Sequence, residues 1–198
     1  MATLPLASPS RHRITVNALY RMAEAGILGA DERVELIDGE IIDMSPIGCL
    51  HATLVARLVM LFAREADRGL TVWSQSPLRL DDLNEPEPDI GILRPRSDAY
   101  ATAHPGPADV LLVIEVADTS LAYDLATKVP LYARHGVPEA WVIEALTRRV
   151  HVFREPAPTG YRRTTIVAPT DRLACESVMT PSGSPVEVVP AALLPMGA

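Results

Sequence analysis

The residues best suited to chemistry are acids placed at the ends of apolar runs. Asp89 precedes Ile90–Leu93, and Glu115 interrupts the run Val110–Val116, VLLVIEV. A carboxylate buried without a partner is expensive, so Glu115 is expected to have one. If the two runs are antiparallel strands, Leu93 pairs near Val110 and Asp89 falls beside Ile114 or Glu115. Like charges that close raise each other's pKa unless a cation intervenes. A hard divalent ion is the natural cation, because Mg²⁺ is commonly held by one or two carboxylates plus waters and phosphate oxygens. The plain alternative is a pair of strand-end acids at a solvated sheet edge.

Lys128 is the only lysine of the chain; every other cationic side chain is arginine or histidine. It stands at i+4 from Asp124 and at i−4 from Tyr132, so a helix puts the three on one face. Pointed back at the strand end, its ammonium would hold an attacking water or a phosphate. Its other reading is an Asp124–Lys128 surface pair of small energetic weight.

The elements that must position these groups follow from periodicity and punctuation. Thr15–Ala25 predicts a helix ended by Gly26. Val34–Ile37 and Glu40–Met44, joined by Asp38-Gly39, predict a hairpin. Leu50, Leu54, Leu58, Leu61 and Phe62 predict a long amphipathic helix from about Gly48 to Arg68, closed by Gly69. Strands are expected at Thr71–Ser74, around Leu78–Leu80, at Asp89–Leu93 and at Val110–Val116, the last buried on both faces. Asp118, Thr119 and Ser120 offer cap oxygens for a helix running to His135, which Pro130 interrupts. Strands at Ala140–Ala145, Arg149–Arg154 and Tyr161–Val167 follow, and the tail from Thr180 reads as extended chain. The sum is an α/β fold with a mixed central sheet flanked by helices. Residues 1–13 read as an N-terminal arm and 14–198 as a single domain.

Composition narrows the classes. The chain has 198 residues, 48% hydrophobic and 22% charged, which is ordinary globular usage. Two cysteines, Cys49 and Cys175, build neither a disulfide scaffold nor a four-thiolate zinc site. No run is long enough to span a membrane and the opening residues lack a signal pattern, so the expected place is the cytoplasm. The net charge of −7 counts against a generic nucleic-acid binder but leaves room for a local patch. Arg148, Arg149, Arg154, Arg162 and Arg163 form either a phosphate-facing strip or a charged guard on an edge strand. Asp81, Asp82, Glu85, Glu87 and Asp89 form an acidic approach to the site. The P-loop, GxGxxG, HExxH, GxSxG and CxxC signatures are absent from the sequence.

Glu87-Pro88-Asp89, Ile114-Glu115-Val116 and Lys128 resemble the PD-(D/E)XK nuclease superfamily. VELIDGEI, SPIGCLH, EPDIGIL, the stretch from VIEVADTS to EAWVI, and VHVFRE are similar to its Uma-type restriction endonuclease family. The resemblance covers roughly residues 14–167. It implies a restriction-endonuclease-like core, metal ligation by Asp89, Glu115 and the Val116 carbonyl, and Mg²⁺ with Mn²⁺ as a substitute. DNA is the implied partner. The superfamily's lysine usually lies two residues after the second acid; Ala117 occupies that position here, so Lys128 is the implied migrated lysine. Glu35 and His51 also match the family pattern as site residues. Their other readings are a solvent-facing hairpin acid and a core-edge histidine on the face of Leu54, Val55 and Leu58. Gln75 could position a phosphate or water. A rival from another class is a nuclease fold that has lost the reaction and serves as a nucleic-acid- or protein-binding module. A homodimer formed through Trp141 and its strand is a third expectation, the alternative being that Trp141 belongs to the core.

Overall fold

The structure, a computed structural model, describes residues 11–29, 31–66 and 69–193. The greater part of the expected N-terminal arm, residues 1–10, lies outside the described residues, as do Asp67 and Arg68. Thr15 caps the first helix, α1 (Val16–Glu24), its hydroxyl accepting from the Ala18 N–H and so satisfying one free donor of the first turn. The hairpin forms as expected from β1 (Val34–Ile37) and β2 (Glu40–Asp43). Its two turn residues have positive φ, 51° at Asp38 and 74° at Gly39, as a two-residue turn between twisted strands requires. Glycine is needed at the second for space as well, since a Cβ there would lie 2.7 Å from the Arg13 Cβ. The long helix, α2 (Cys49–Glu65), is amphipathic, and Leu54, Val55, Leu58 and Phe62 form its buried stripe.

The main sheet has six strands in the order β3-β4-β5-β6-β7-β8. Strands β3 (Thr71–Ser74), β4 (Ile90–Leu93) and β5 (Val110–Ala117) pair antiparallel, β3 with β4 and β4 with β5. A helical crossover follows, of α3 (Leu121–Tyr123), a π-turn (Asp124–Lys128) and α4 (Val129–Arg134). It returns the chain to β6 (Glu139–Glu144), parallel to β5, and a parallel pair needs such a crossover. Strands β7 (Val150–Ala157) and β8 (Gly160–Val167) complete the sheet as an antiparallel pair. Five residues of the sheet's centre show how it is held: Ile114, Val116 and Trp141 pack toward α2, while Val113 and Val142 pack toward α4. The fold is α/β, a mixed sheet with helices on both faces.

Two expectations need correction. Leu78–Leu80 is not a strand. The side chains of Leu78 and Leu80 are core, but their backbone N–H groups bond to Pro86 and Asn84 carbonyls, and that of Arg79 to Pro105, so no ladder forms. The tail from Thr180 is not simply extended. It contributes β10 (Pro185–Val188), which pairs with β9 (Leu173–Met179), and both pack on the α2 side of the sheet. The prolines sit where they are tolerated: Pro181 in the turn, Pro185 opening the strand, and Pro190 starting a 3-10 turn. Trp141 is wholly buried, tilted against Phe62 at 6.1 Å, so it offers no surface to a second copy. No helix among the described residues is long and apolar enough to cross a membrane.

Phe62 joins α2 to the sheet at this contact. Phe62→Ala is expected to cost about 3–5 kcal/mol of folding stability, read by chemical denaturation. A cost below about 1 kcal/mol would show that the contact does not anchor the helix.

Candidate active site

Strand register brings the first two acids together. Ile90 pairs with Ile114, which places Asp89 opposite Glu115 at the sheet edge. Asp89 is fixed on both sides of its Cα. Its Oδ2 accepts the Val116 N–H at 2.8 Å, and its carbonyl accepts from the Gln75 N–H and the Ser74 hydroxyl.

The crossover brings the lysine. Across the π-turn the Val129 N–H reaches the Asp124 carbonyl, and the next residue, Pro130, has no N–H to give. The wide turn thus absorbs the proline and rotates Lys128 inward. Lys128 Nζ lies 3.0 Å from Glu35 Oε2 and 3.2 Å from Glu115 Oε1. Lysine and both acids are each about 5% exposed or less. Tyr132 donates to the same Glu115 Oε1 at 2.5 Å, so both donors sit on one oxygen and leave Oε2 for the cavity that Glu115 lines. Glu35 is held by the Glu87 N–H at 3.3 Å and the Tyr123 hydroxyl at 3.4 Å.

His51 enters from the first turn of α2. Its Nε2 lies 2.8 Å from Asp89 Oδ1. One cavity of about 430 Å³ is lined by Glu35, His51, Asp89, Glu115, Val116 and Lys128, all six of the expected site residues. Gln75 lines it too, with φ of 44°, and Arg33 at its rim pairs with Glu87 at 2.5 Å. Three further groups belong to the cluster. Asp124 is buried, not a surface partner, and accepts from the Ser120 hydroxyl at 2.6 Å. Tyr123 and Tyr132 hold the acids. The i+4 spacing of Asp124, Lys128 and Tyr132 was the available signal, but it does not tell an inward face from an outward one.

The charges do not balance. Burial pushes the Glu115 carboxyl up to about 8, opposed by the Lys128 ammonium. Burial also raises Asp124. Burial acts to lower Lys128, but Glu115, Glu35 and Asp124 around it win and raise it. Lys128 stays charged among these carboxylates, and burial favours the neutral form of Glu115. The Asp89 carboxylate raises His51.

The arginine strip is largely engaged in ion pairs of the fold. Arg154 joins Glu139 and Glu176, Arg163 joins Glu155 and Glu176, and Arg149 joins Glu144. The acidic approach is also partnered: Asp81 meets His135, and Asp82 meets Arg79.

A mixed six-stranded sheet with helices on both faces and acids at the edge of its central strands defines a restriction-endonuclease-like core. The fold is shared with a crystal structure described as a putative nuclease belonging to DUF820 from Anabaena variabilis ATCC 29413. That chain is 17% identical, with a TM-score of 0.63; the match covers 86% of this chain and 91% of the other. No curated protein matches. The family model that matches, over residues 16–183, is Uma2, described as "Putative restriction endonuclease", and the chain belongs to that family.

Lys128→Met leaves Glu35 and Glu115 buried without their cation. The expected cost is about 3–5 kcal/mol at pH 8, read by urea unfolding. Part of it should return at pH 5, well below the raised value of Glu115, where that carboxyl is neutral. An unchanged midpoint at both values would show that the lysine does not hold the cluster. In the wild type, the folded chain binds more protons than the unfolded chain between the ordinary Glu value and about 8, because Glu115 is raised. Its contribution to stability therefore falls as pH rises through that window.

Proposed function

We propose that the chain is a divalent-metal-dependent endonuclease that hydrolyses phosphodiester bonds in DNA, in the cytoplasm, with Mg²⁺ as its ion and Mn²⁺ as a substitute. The observation that carries this reading is the convergence of Asp89, Glu115 and Lys128, from three separate elements, on one cavity. Among the described residues no group of three or more His, Cys, Asp or Glu forms a ready cage for a metal. Mg²⁺ does not require one, since it keeps several waters and takes one or two carboxylates. Asp89 Oδ1, Glu115 Oε2 and the Val116 carbonyl fit that need and would hold it. When bound, the ion supplies positive charge against the charge that builds on the phosphoryl oxygens.

The chain's own residues do the rest. Lys128 orients the attacking water and adds a second positive charge beside the phosphate. Glu35, fixed by Tyr123 and the Glu87 N–H, holds Lys128 at that place. Tyr132 fixes the Glu115 rotamer. His51, with its Nε2 2.8 Å from Asp89 Oδ1, braces Asp89. The rival reading, a binding module without the reaction, draws support from Lys128 being engaged by two carboxylates at once. Cleavage decides between them.

Calorimetric titration of Mn²⁺ is expected to show saturable binding in the wild type and none in Asp89→Asn, with cleavage of duplex DNA lost in parallel. Cleavage that survives Asp89→Asn overturns the assignment of Asp89. Repeated at pH 7 in buffers of different ionisation enthalpy, the titration should report release of about one proton per ion, from Glu115, which burial raises to about 8. Binding without proton release would mean that Glu115 is already ionised.

A further inference from the structure

The groups that would act on a phosphate are recessed. Glu35, Glu115 and Lys128 are buried, and the Asp89 side chain is only 14% exposed. A phosphate must therefore enter the cavity of about 430 Å³ to meet them, and a cavity of that size takes a small molecule or one nucleotide, not a double helix. In a paired strand each phosphate is tied to stacked neighbours. A nucleotide released from pairing and stacking is free to swing inward, and its sugar and base come with it.

The first hairpin offers that base a wall. Register pairs Glu35 with Ile42, so the two side chains share one face of the hairpin. The Met44 N–H extends the pairing to the Arg33 carbonyl, and Met44 falls on the same face two residues on. Ile42 and Met44 both line the cavity, and so does Ile47, which is 43% exposed. An apolar wall thus runs from the acid cluster toward the surface. The opposite face of β1 borders other space: Val34 lines a separate hollow of about 580 Å³, walled by Leu19, Ala23 and Leu28.

Charge argues against a broad grip on the DNA backbone at this place. Among the described residues Arg33 is the one arginine that lines the cavity, and it is paired with Glu87 at 2.5 Å. Lys128 is held by Glu35 and Glu115, and His51 by Asp89. A row of phosphates finds no free side-chain cation in this wall, so contact with the base must supply much of the hold. We infer that the cavity receives a single nucleotide unstacked from its strand, its phosphate beside Asp89, Glu115 and Lys128 and its base against Ile42, Met44 and Ile47. Unpaired nucleotides within DNA are then the preferred substrate. The inference rests on the nuclease reading and names the substrate class of the same site.

The test is fluorescence anisotropy of the full chain with a short labelled DNA duplex, either fully paired or carrying a single bulged thymidine. Ca²⁺ replaces Mg²⁺, so that binding is read apart from turnover. The bulged duplex is expected to bind at least about tenfold more tightly, because its base is already free of pairing. Ile47→Ser, at an exposed position of the wall, should bring that ratio back toward one. Equal binding of the two duplexes by the wild type, binding of neither, or an undiminished ratio in Ile47→Ser overturns the proposal. Its fate is separable from that of the nuclease reading. Equal binding with Mg²⁺-dependent cleavage intact removes the base subsite and leaves the nuclease, whereas a tight bulged complex that is never cut removes the reaction and leaves the subsite.

Discussion

One buried ammonium among carboxylates is the constraint on which the rest of the structure depends. Lys128 touches Glu35 and Glu115 directly, with Asp124 close enough to raise its affinity for a proton. Ions taken out of water repay their desolvation only when geometry is good and the remaining lone pairs are satisfied. The surrounding hydroxyls and N–H groups serve that need: Tyr132 on Glu115, Tyr123 and the Glu87 N–H on Glu35, and Ser120 on Asp124. Such a cluster cannot be assembled piecemeal, because any member left alone is a buried charge or an unpaired donor. It ties the first hairpin, the central strands and the crossover helix into one unit.

That unit departs from what folding alone would choose. A central strand buried on both faces would be most stable with an apolar residue at Glu115, and a crossover helix would run more regularly without a π-turn. Local rules broken at one place, and compensated there by a dense network, are what a functional site looks like in physical terms. The same arrangement explains why the excess of acid over base is tolerable. Part of the surplus charge is removed by the proton that burial favours on Glu115.

The framework was legible in the sequence because its signals are local. Asp38-Gly39 names a turn, the Leu54–Leu58–Phe62 stripe names a helix, and VLLVIEV names a buried strand. The antiparallel register of Asp89 and Glu115 could be read from strand lengths alone, and it is observed. What could not be read is set by long-range contacts. Leu78 and Leu80 look like a strand because they alternate, but their backbone N–H groups go to Pro86 and Asn84 carbonyls in loops rather than to a neighbouring strand. β9 and β10 were hidden because prolines in the tail read as breakers, although Leu173, Cys175 and Val178 point to one face. The depth of Asp124 and the role of Tyr123 depend on which way the crossover turns, and Pro130 made that turn ambiguous until the π-turn showed how it is absorbed. The two readings of the arginine strip could not be separated in the sequence, because charge counts along a chain do not reveal that Arg149, Arg154 and Arg163 pair with acids across the fold.

The hairpin turn at Asp38-Gly39 has a consequence beyond joining two strands. A strand's side chains alternate with a period of two, so its register sets which of Val34 and Glu35 faces which cavity. A slip by a single residue would carry an isopropyl group into the ionic cluster and a carboxylate into the apolar hollow behind it. Loss or gain of one residue in this small surface turn would therefore disrupt both compartments at once, although the turn itself contacts neither Lys128 nor Glu115 nor Asp89. The turn is the gauge by which the whole edge of the molecule is measured, and its length is under tighter constraint than its exposure suggests.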